Sequence, residues 1–164
     1  MRQMCDINVL LALVTERHAH HDRCKSWWKS RDHAAPLLIC REVQIALLRL
    51  LSTEAVMSED VLTLPQAWAL YASLLKCGGF SRVLEPRGLD VEWERLCRPC
   101  KRSPKVVMDA YLAAFAIAGG YTLVTLDEAF ANFRGLSLLI PANAGSARNP
   151  ESSPRSSRRT RRGD

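Results

Sequence analysis

Apolar positions fall into two alternating patterns along the chain. Arg2–Cys5 is a short segment that fits only a brief strand, and Val9, Leu10, Leu13 and Val14 then follow at helical spacing. A polar loop around His18–His21 leads to a second helix bearing Cys24, Trp27 and Trp28, with one of the tryptophans expected in the core. The run Ala34–Cys40 reads as a strand, and Glu42–Leu51 as a helix with apolar residues at 43, 46, 47, 50 and 51. After a connection over Ser52–Leu64, Leu64–Lys76 is an amphipathic helix with Pro65 in its first turn, where proline costs little. Phe80–Leu84 predicts a third strand, and Leu89–Cys100 a helix carrying Trp93, Leu96 and Cys100. In Val106–Phe130, Met108, Tyr111, Leu112, Phe115 and Ala116 mark one helix face, and Gly119-Gly120 ends the helix. Tyr121–Leu126 is then uncharged and rich in β-branched and aromatic residues, as a buried strand is, and Leu136–Ile140 gives the last strand. Helices that return the chain between strands predict an α/β fold with a mostly parallel central sheet.

A chain of 164 residues with 48% hydrophobic and 24% charged residues suits one domain with a real core. No apolar run approaches a membrane span, and the first residues lack the long apolar stretch and small-residue site of a secretory signal, so a cytoplasmic protein is expected. Six cysteines in such a protein are expected to stay thiols. Of the formal charge of +6, the segment 142–164 carries +4, from six arginines against Glu151 and Asp164. That segment has almost nothing to bury and is expected to be a disordered basic tail on a domain spanning 1–141. A near-neutral body with a basic tail is compatible with a nucleic-acid partner.

Four acids change the picture. Asp6, Glu42, Asp109 and Asp127 each lie just past an expected strand or at a helix start. Singly, each has an ordinary explanation: an N-cap is worth about 1 kcal/mol, and acids favour the first turn of a helix. Together they fall at the carboxyl edge of a parallel sheet, where sites form. Carboxylates gathered there repel unless cations are bound, so at least one would hold its proton above the usual range. Oxygen donors with few histidines select Mg²⁺ or Mn²⁺, which suits metal-assisted attack of water on a phosphodiester. Asn8 is placed to brace the Asp6 turn through its side chain. His18, His20, His21 and Cys24 lack a second ligand cluster of zinc spacing, and Cys97-x-x-Cys100 lacks a partner pair; both are read as structural. Lys101–Lys105 reads as a basic loop.

The pieces CDINVLLALV, REVQIALLRLL, MDAYLAAFAIAGGYTLVTLDEAF and FRGLSLLI resemble a PIN-domain ribonuclease, and specifically a VapC-type toxin of a bacterial type II toxin–antitoxin system. The likeness runs from about Cys5 to Ile140. Its most specific parts are Asp-x-Asn-Val-Leu-Leu at 6–11 and Asp-Ala-Tyr-Leu-Ala-Ala at 109–114. The resemblance implies a three-layer α/β/α sandwich, divalent-metal-dependent RNA cleavage, homodimers, and inhibition by a cognate antitoxin whose tail reaches the active site. It places Asp6 and Asp109 at metal-ligand positions, Asp127 at the acid after the fourth strand, and Glu42 at the acid opening the helix after the second, so that Asp6, Asp109 and Asp127 are expected to hold Mg²⁺ and Glu42 to hold metal or orient the attacking water. The chain departs from the family in its short, polar first strand and its Arg/Ser-rich tail. Two other readings remain: a non-catalytic RNA-binding module, and a different Mg²⁺-dependent phosphoester hydrolase, for which no lysine is placed near a phosphoryl group. Glu128 stands beside Asp127 with no assigned role.

Overall fold

The computed structural model describes residues 1–99 and 104–143. The expected tail beyond Asn143, the Cys100 half of the Cys-x-x-Cys pair, and Lys101–Ser103 lie outside the described residues. Strands β1 (Gln3–Cys5), β2 (Leu37–Ile39), β3 (Phe80–Arg82), β4 (Thr122–Val124) and β5 (Ser137–Leu139) form one sheet in the order β3-β2-β1-β4-β5. Every pairing is parallel, with Met4 opposite both Leu38 and Leu123. Each strand is only three residues long, shorter than the apolar runs suggest.

The helices are α1 (Ile7–Val14), α2 (His21–Ser30), α3 (Arg41–Leu51), α4 (Glu54–Met57), α5 (Leu64–Lys76), α6 (Leu89–Cys97) and α7 (Pro104–Gly119). They complete the three-layer α/β/α sandwich. Helix α1 packs on α2 and α3, α3 packs on α5, and α6 lies along α7. The start of α5 is fixed by a capping box, in which Thr63 Oγ1 accepts from the Gln66 N–H and Gln66 Oε1 accepts from the Thr63 N–H. At the sheet edge, Trp28 stacks on Phe80 with ring centroids 4.6 Å apart, and the Arg31 guanidinium lies 4.8 Å from the Trp28 ring centroid. Both tryptophans of α2 are half-buried against the core.

Helix α7 corrects two expectations. It begins at Pro104, so Pro104-Lys105 is helical and not part of a basic loop. Met108 is 44% exposed and not on a core face, while every residue from Ala110 to Ala116 is buried. The large apolar residues suggested a single stripe. The alanines at 110, 113, 114 and 116 instead let neighbours close in around the helix, and burial extends around it. Gly120 then takes φ +64°, where glycine carries no side-chain penalty, and the Tyr121 N–H reaches back to the Ala116 carbonyl at 2.8 Å. Chain direction therefore reverses immediately, and β4 enters the sheet beside β1.

Leu123 is fully buried at the centre of this arrangement, whereas Leu64 is 58% exposed. Leu123→Ala is expected to lower unfolding stability by about 2–5 kcal/mol, and Leu64→Ala by no more than about 0.5 kcal/mol. Urea denaturation of the two variants checks the contrast; equal losses would contradict this description of the core.

Candidate functional site at the carboxyl edge of the sheet

Asp6 follows the last residue of β1, and its N–H donates to the Val124 carbonyl at 2.9 Å, continuing the β1–β4 ladder by one step. The next residue begins α1, with Asp6 as its N-cap. Its side chain is only 4% exposed. Oδ1 accepts from the Ile7 N–H at 2.6 Å, and Oδ2 accepts from Asn8 Nδ2 at 2.8 Å and from Thr125 Oγ1 at 2.7 Å. Asn8 also donates to Thr125 Oγ1 at 3.0 Å and accepts from the Leu126 N–H at 3.0 Å. Thr125 Oγ1 accepts in turn from the Asp127 N–H at 3.1 Å. One polar network thus ties the end of β1, the start of α1 and the loop after β4. A carboxylate offers about four acceptor positions, and three are filled here, which holds Asp6 while leaving it able to accept once more.

Glu42 lies in the first turn of α3 and is half-buried. Asp109 lies in the second turn of α7 and is also half-buried. Asp6, Glu42 and Asp109 line one cleft of about 380 Å³, with Met108, Ile45 and Arg49 around them. Asp127 does not line this cleft. It is exposed, and its Oδ1 accepts from the Ala129 N–H at 2.8 Å to cap the 3-10 turn Glu128–Asn132. Its charge still reaches both Asp6 and Asp109. Glu128, within that turn, is exposed.

Asp6 holds its proton above the usual carboxylate range, chiefly because it is buried; the Thr125 and Ile7 hydrogen bonds oppose the shift, and the charges of Asp109 and Asp127 add to it. Asp109 is raised as well, first by desolvation and then by Asp127. Mutual repulsion was the expected cause, but burial outweighs it at both residues. None of the four acids makes an ion pair among the described residues. The chemistry of Asp6, Glu42 and Asp109, oxygen donors around one cleft, fits a hard divalent cation. Among the described residues, however, no three Asp, Glu, His or Cys side chains are gathered closely enough to enclose a metal ion as they stand.

Thr125 was not singled out in the sequence, because a threonine at the end of a β-branched run looks like any strand residue. Met108 and Arg49 were likewise missed as cleft residues. Of the His/Cys group, His21 and Cys24 are packed into the core. His21 is buried with Nδ1 2.8 Å from the Ala12 carbonyl oxygen, and Cys24 is a buried thiol pushed up to about 11 by desolvation.

These shifts set a pH dependence. Raised carboxyl values mean that the folded chain binds protons more tightly than the unfolded one. The resulting penalty is absent below the unfolded value near about 4 and fully present once pH exceeds the folded value. In metal-free buffer the protein is expected to melt at a higher temperature at mildly acidic than at neutral pH. Thr125→Val removes a hydrogen bond to a charged group and is expected to cost about 1.5–3 kcal/mol at neutral pH, and less once Asp6 is protonated. Melts of wild type and variant across this range check both signs; a Thr125→Val loss that grows on acidification would contradict the network.

Comparison with known proteins places this geometry in a family. The PIN domain profile matches residues 4–136. The chain is 38% identical over 146 residues to Ribonuclease VapC41 of Mycobacterium tuberculosis, covering 85% of this chain and 98% of that protein. Among solved structures, the fold resembles VapC20 of Mycobacterium tuberculosis, described as a sarcin-ricin loop cleaving toxin, with a TM-score of 0.58, 19% identity, and 82% of this chain and 98% of that one covered. It also resembles the DNA-bound VapBC of Salmonella typhimurium, with a TM-score of 0.59, 12% identity, and 87% and 99% covered. With a family profile spanning most of its length and a VapC ribonuclease relative aligned nearly end to end, the chain belongs to the PIN-domain family, among its VapC-type members.

Proposed function

We propose that this protein is the toxin of a type II toxin–antitoxin pair, an endoribonuclease that hydrolyses RNA phosphodiesters with a divalent metal at the carboxyl edge of its sheet. The observation that carries the reading is Asp6: a buried carboxylate, fixed by Asn8 and Thr125, opening onto the same cleft as Asp109 and Glu42. A purely structural N-cap needs neither a second carboxylate across a cleft nor burial that disfavours its charge. The relatives support the activity, since the chain aligns with a protein named a ribonuclease over nearly all of that protein's length.

Asp6 and Asp109 are the residues proposed to hold Mg²⁺ or Mn²⁺, with the charge of Asp127 acting on both. The cation would supply an acidified water and charge stabilisation on the phosphate. Glu42, on the cleft wall, would orient the attacking water and accept its proton. The raised values of Asp6 and Asp109 mean that proton and metal compete for the same oxygens. The partner is proposed to be a cognate antitoxin, in line with the likeness of this fold to a VapBC structure.

Asp6→Asn and Asp109→Asn keep the side-chain shape but remove charge. Each is expected to reduce Mg²⁺-dependent RNA cleavage by orders of magnitude, and EDTA should abolish the wild-type activity. Thermal melts give an independent check: Mg²⁺ at a hundred times its dissociation constant should stabilise the wild type by about 2.7 kcal/mol, and the Asp109→Asn variant by much less. Full cleavage by Asp109→Asn would sink the assignment, and hydrolysis of simple phosphomonoesters without RNA cleavage would favour a phosphatase instead.

A further inference from the structure

Asp109 borders a second cleft on its far side. This cleft, about 480 Å³, is enclosed by the end of α6, the first turns of α7 and the 3-10 turn after Asp127. Its size falls in the range of about 300–1,000 Å³ typical of small-ligand sites. It is as apolar as the first cleft but differs in its charged residues: Asp6, Glu42 and Asp109 with Arg49 line the first, and Arg95 and Arg134 with Asp109 line the second. Leu96, Val106, Ala129 and Phe133 give it apolar walls, and Arg95 and Arg134 stand at its rim.

The two arginines differ. The Arg95 guanidinium is held in place, with Nε donating to Glu92 Oε2 at 2.7 Å and Nη2 donating to the Arg134 carbonyl at 3.3 Å. Glu92 offsets its charge. The Arg134 side chain is exposed and makes no hydrogen bond or ion pair among the described residues, so its charge is unspent. Phe133 is half-buried and supported by Phe130, with ring centroids 5.8 Å apart. An apolar slot with an aromatic wall and an unspent guanidinium at its mouth is what a single-stranded nucleotide requires: stacking for the base and a cation for the phosphate. Because Asp109 lines both clefts, a strand crossing it would place one nucleotide here and its neighbouring phosphate at the acids.

We propose that this second cleft is a nucleotide subsite for single-stranded RNA beside the scissile phosphate, with the base against Phe133 and a phosphate on Arg134. The proposal deepens the ribonuclease reading and rests on it. Arg95 acts as a positioning residue that holds the Arg134 backbone.

The test is fluorescence anisotropy of a labelled, mixed-sequence, single-stranded RNA oligonucleotide bound to full-length protein in EDTA, measured across a range of salt. Arg134→Gln is expected to weaken binding and to lower the slope of log K against log salt by about 0.7, the value for one lost phosphate contact on a single strand. Phe133→Leu, which keeps the core filled, is expected to weaken binding about tenfold through lost stacking with the slope unchanged. Arg98→Gln, whose guanidinium pairs with Glu94 on the exposed side of α6, is expected to match wild type. If the wild type cleaves RNA in Mg²⁺ while Arg134→Gln and Phe133→Leu both bind as wild type does, the subsite is overturned and the nuclease reading stands. If the slope falls as expected but no cleavage occurs, the cleft stands only as an RNA-binding site, and both the nuclease reading and the placement beside a scissile phosphate are overturned. A wild type that binds no RNA overturns both.

Discussion

The Asp6 carboxylate sits where this fold is least forgiving. Its own N–H continues the sheet onto the Val124 carbonyl, and its Oδ1 caps α1. Its Oδ2 is held by a threonine and an asparagine that also fix the loop after β4. Burying an ionised group without partners is strongly unfavourable. Three donors offset that cost, and the carboxyl still holds its proton above the ordinary range. Central strand, first helix and the loop after β4 are therefore tied through a single side chain whose charge is only partly satisfied. The fold tolerates this imbalance, and a divalent cation in the cleft would relieve it.

Asp109 extends the same logic sideways. It stands on a helix buried from Ala110 to Ala116, so its backbone position is fixed by the core while its side chain faces outward. On one side lie Asp6 and Glu42; on the other lie an apolar slot and two arginines. The first cleft carries three acids against Arg49, and the second two arginines against Asp109. The four acids are not equivalent. Asp127 is exposed, outside both clefts and engaged as a cap, so its influence on Asp6 and Asp109 is through its field.

Much of this was readable from residue types alone. Five strands, the helices between them and the acids after strands one, two and four follow from alternating periodicity and from the position of Asp6, Glu42 and Asp127 at element boundaries. Asn8 could be assigned to the Asp6 turn because a short amide two residues on has few other partners. Thr125 could not, because its role depends on β4 lying next to β1, a contact 119 residues away in sequence. Met108 was misplaced because helical spacing counts large apolar residues and overlooks alanines, and in α7 the alanines decide which sides are packed. The subsite of Arg95, Phe133 and Arg134 joins α6 to the 3-10 turn after Asp127, and no local pattern announces that meeting.

Everything proposed for the carboxyl edge of the sheet depends on a divalent cation being held there by Asp6 and Asp109. Calorimetric titration of metal-free protein with Mn²⁺ tests it without reference to any RNA. The folded wild type is expected to bind Mn²⁺, and Asp6→Asn and Asp109→Asn, each shown to be folded, are expected to bind it at least about tenfold more weakly, as loss of a charged ligand should cause. A wild type that binds no Mn²⁺, or two folded variants that bind it as tightly as wild type, would contradict the account.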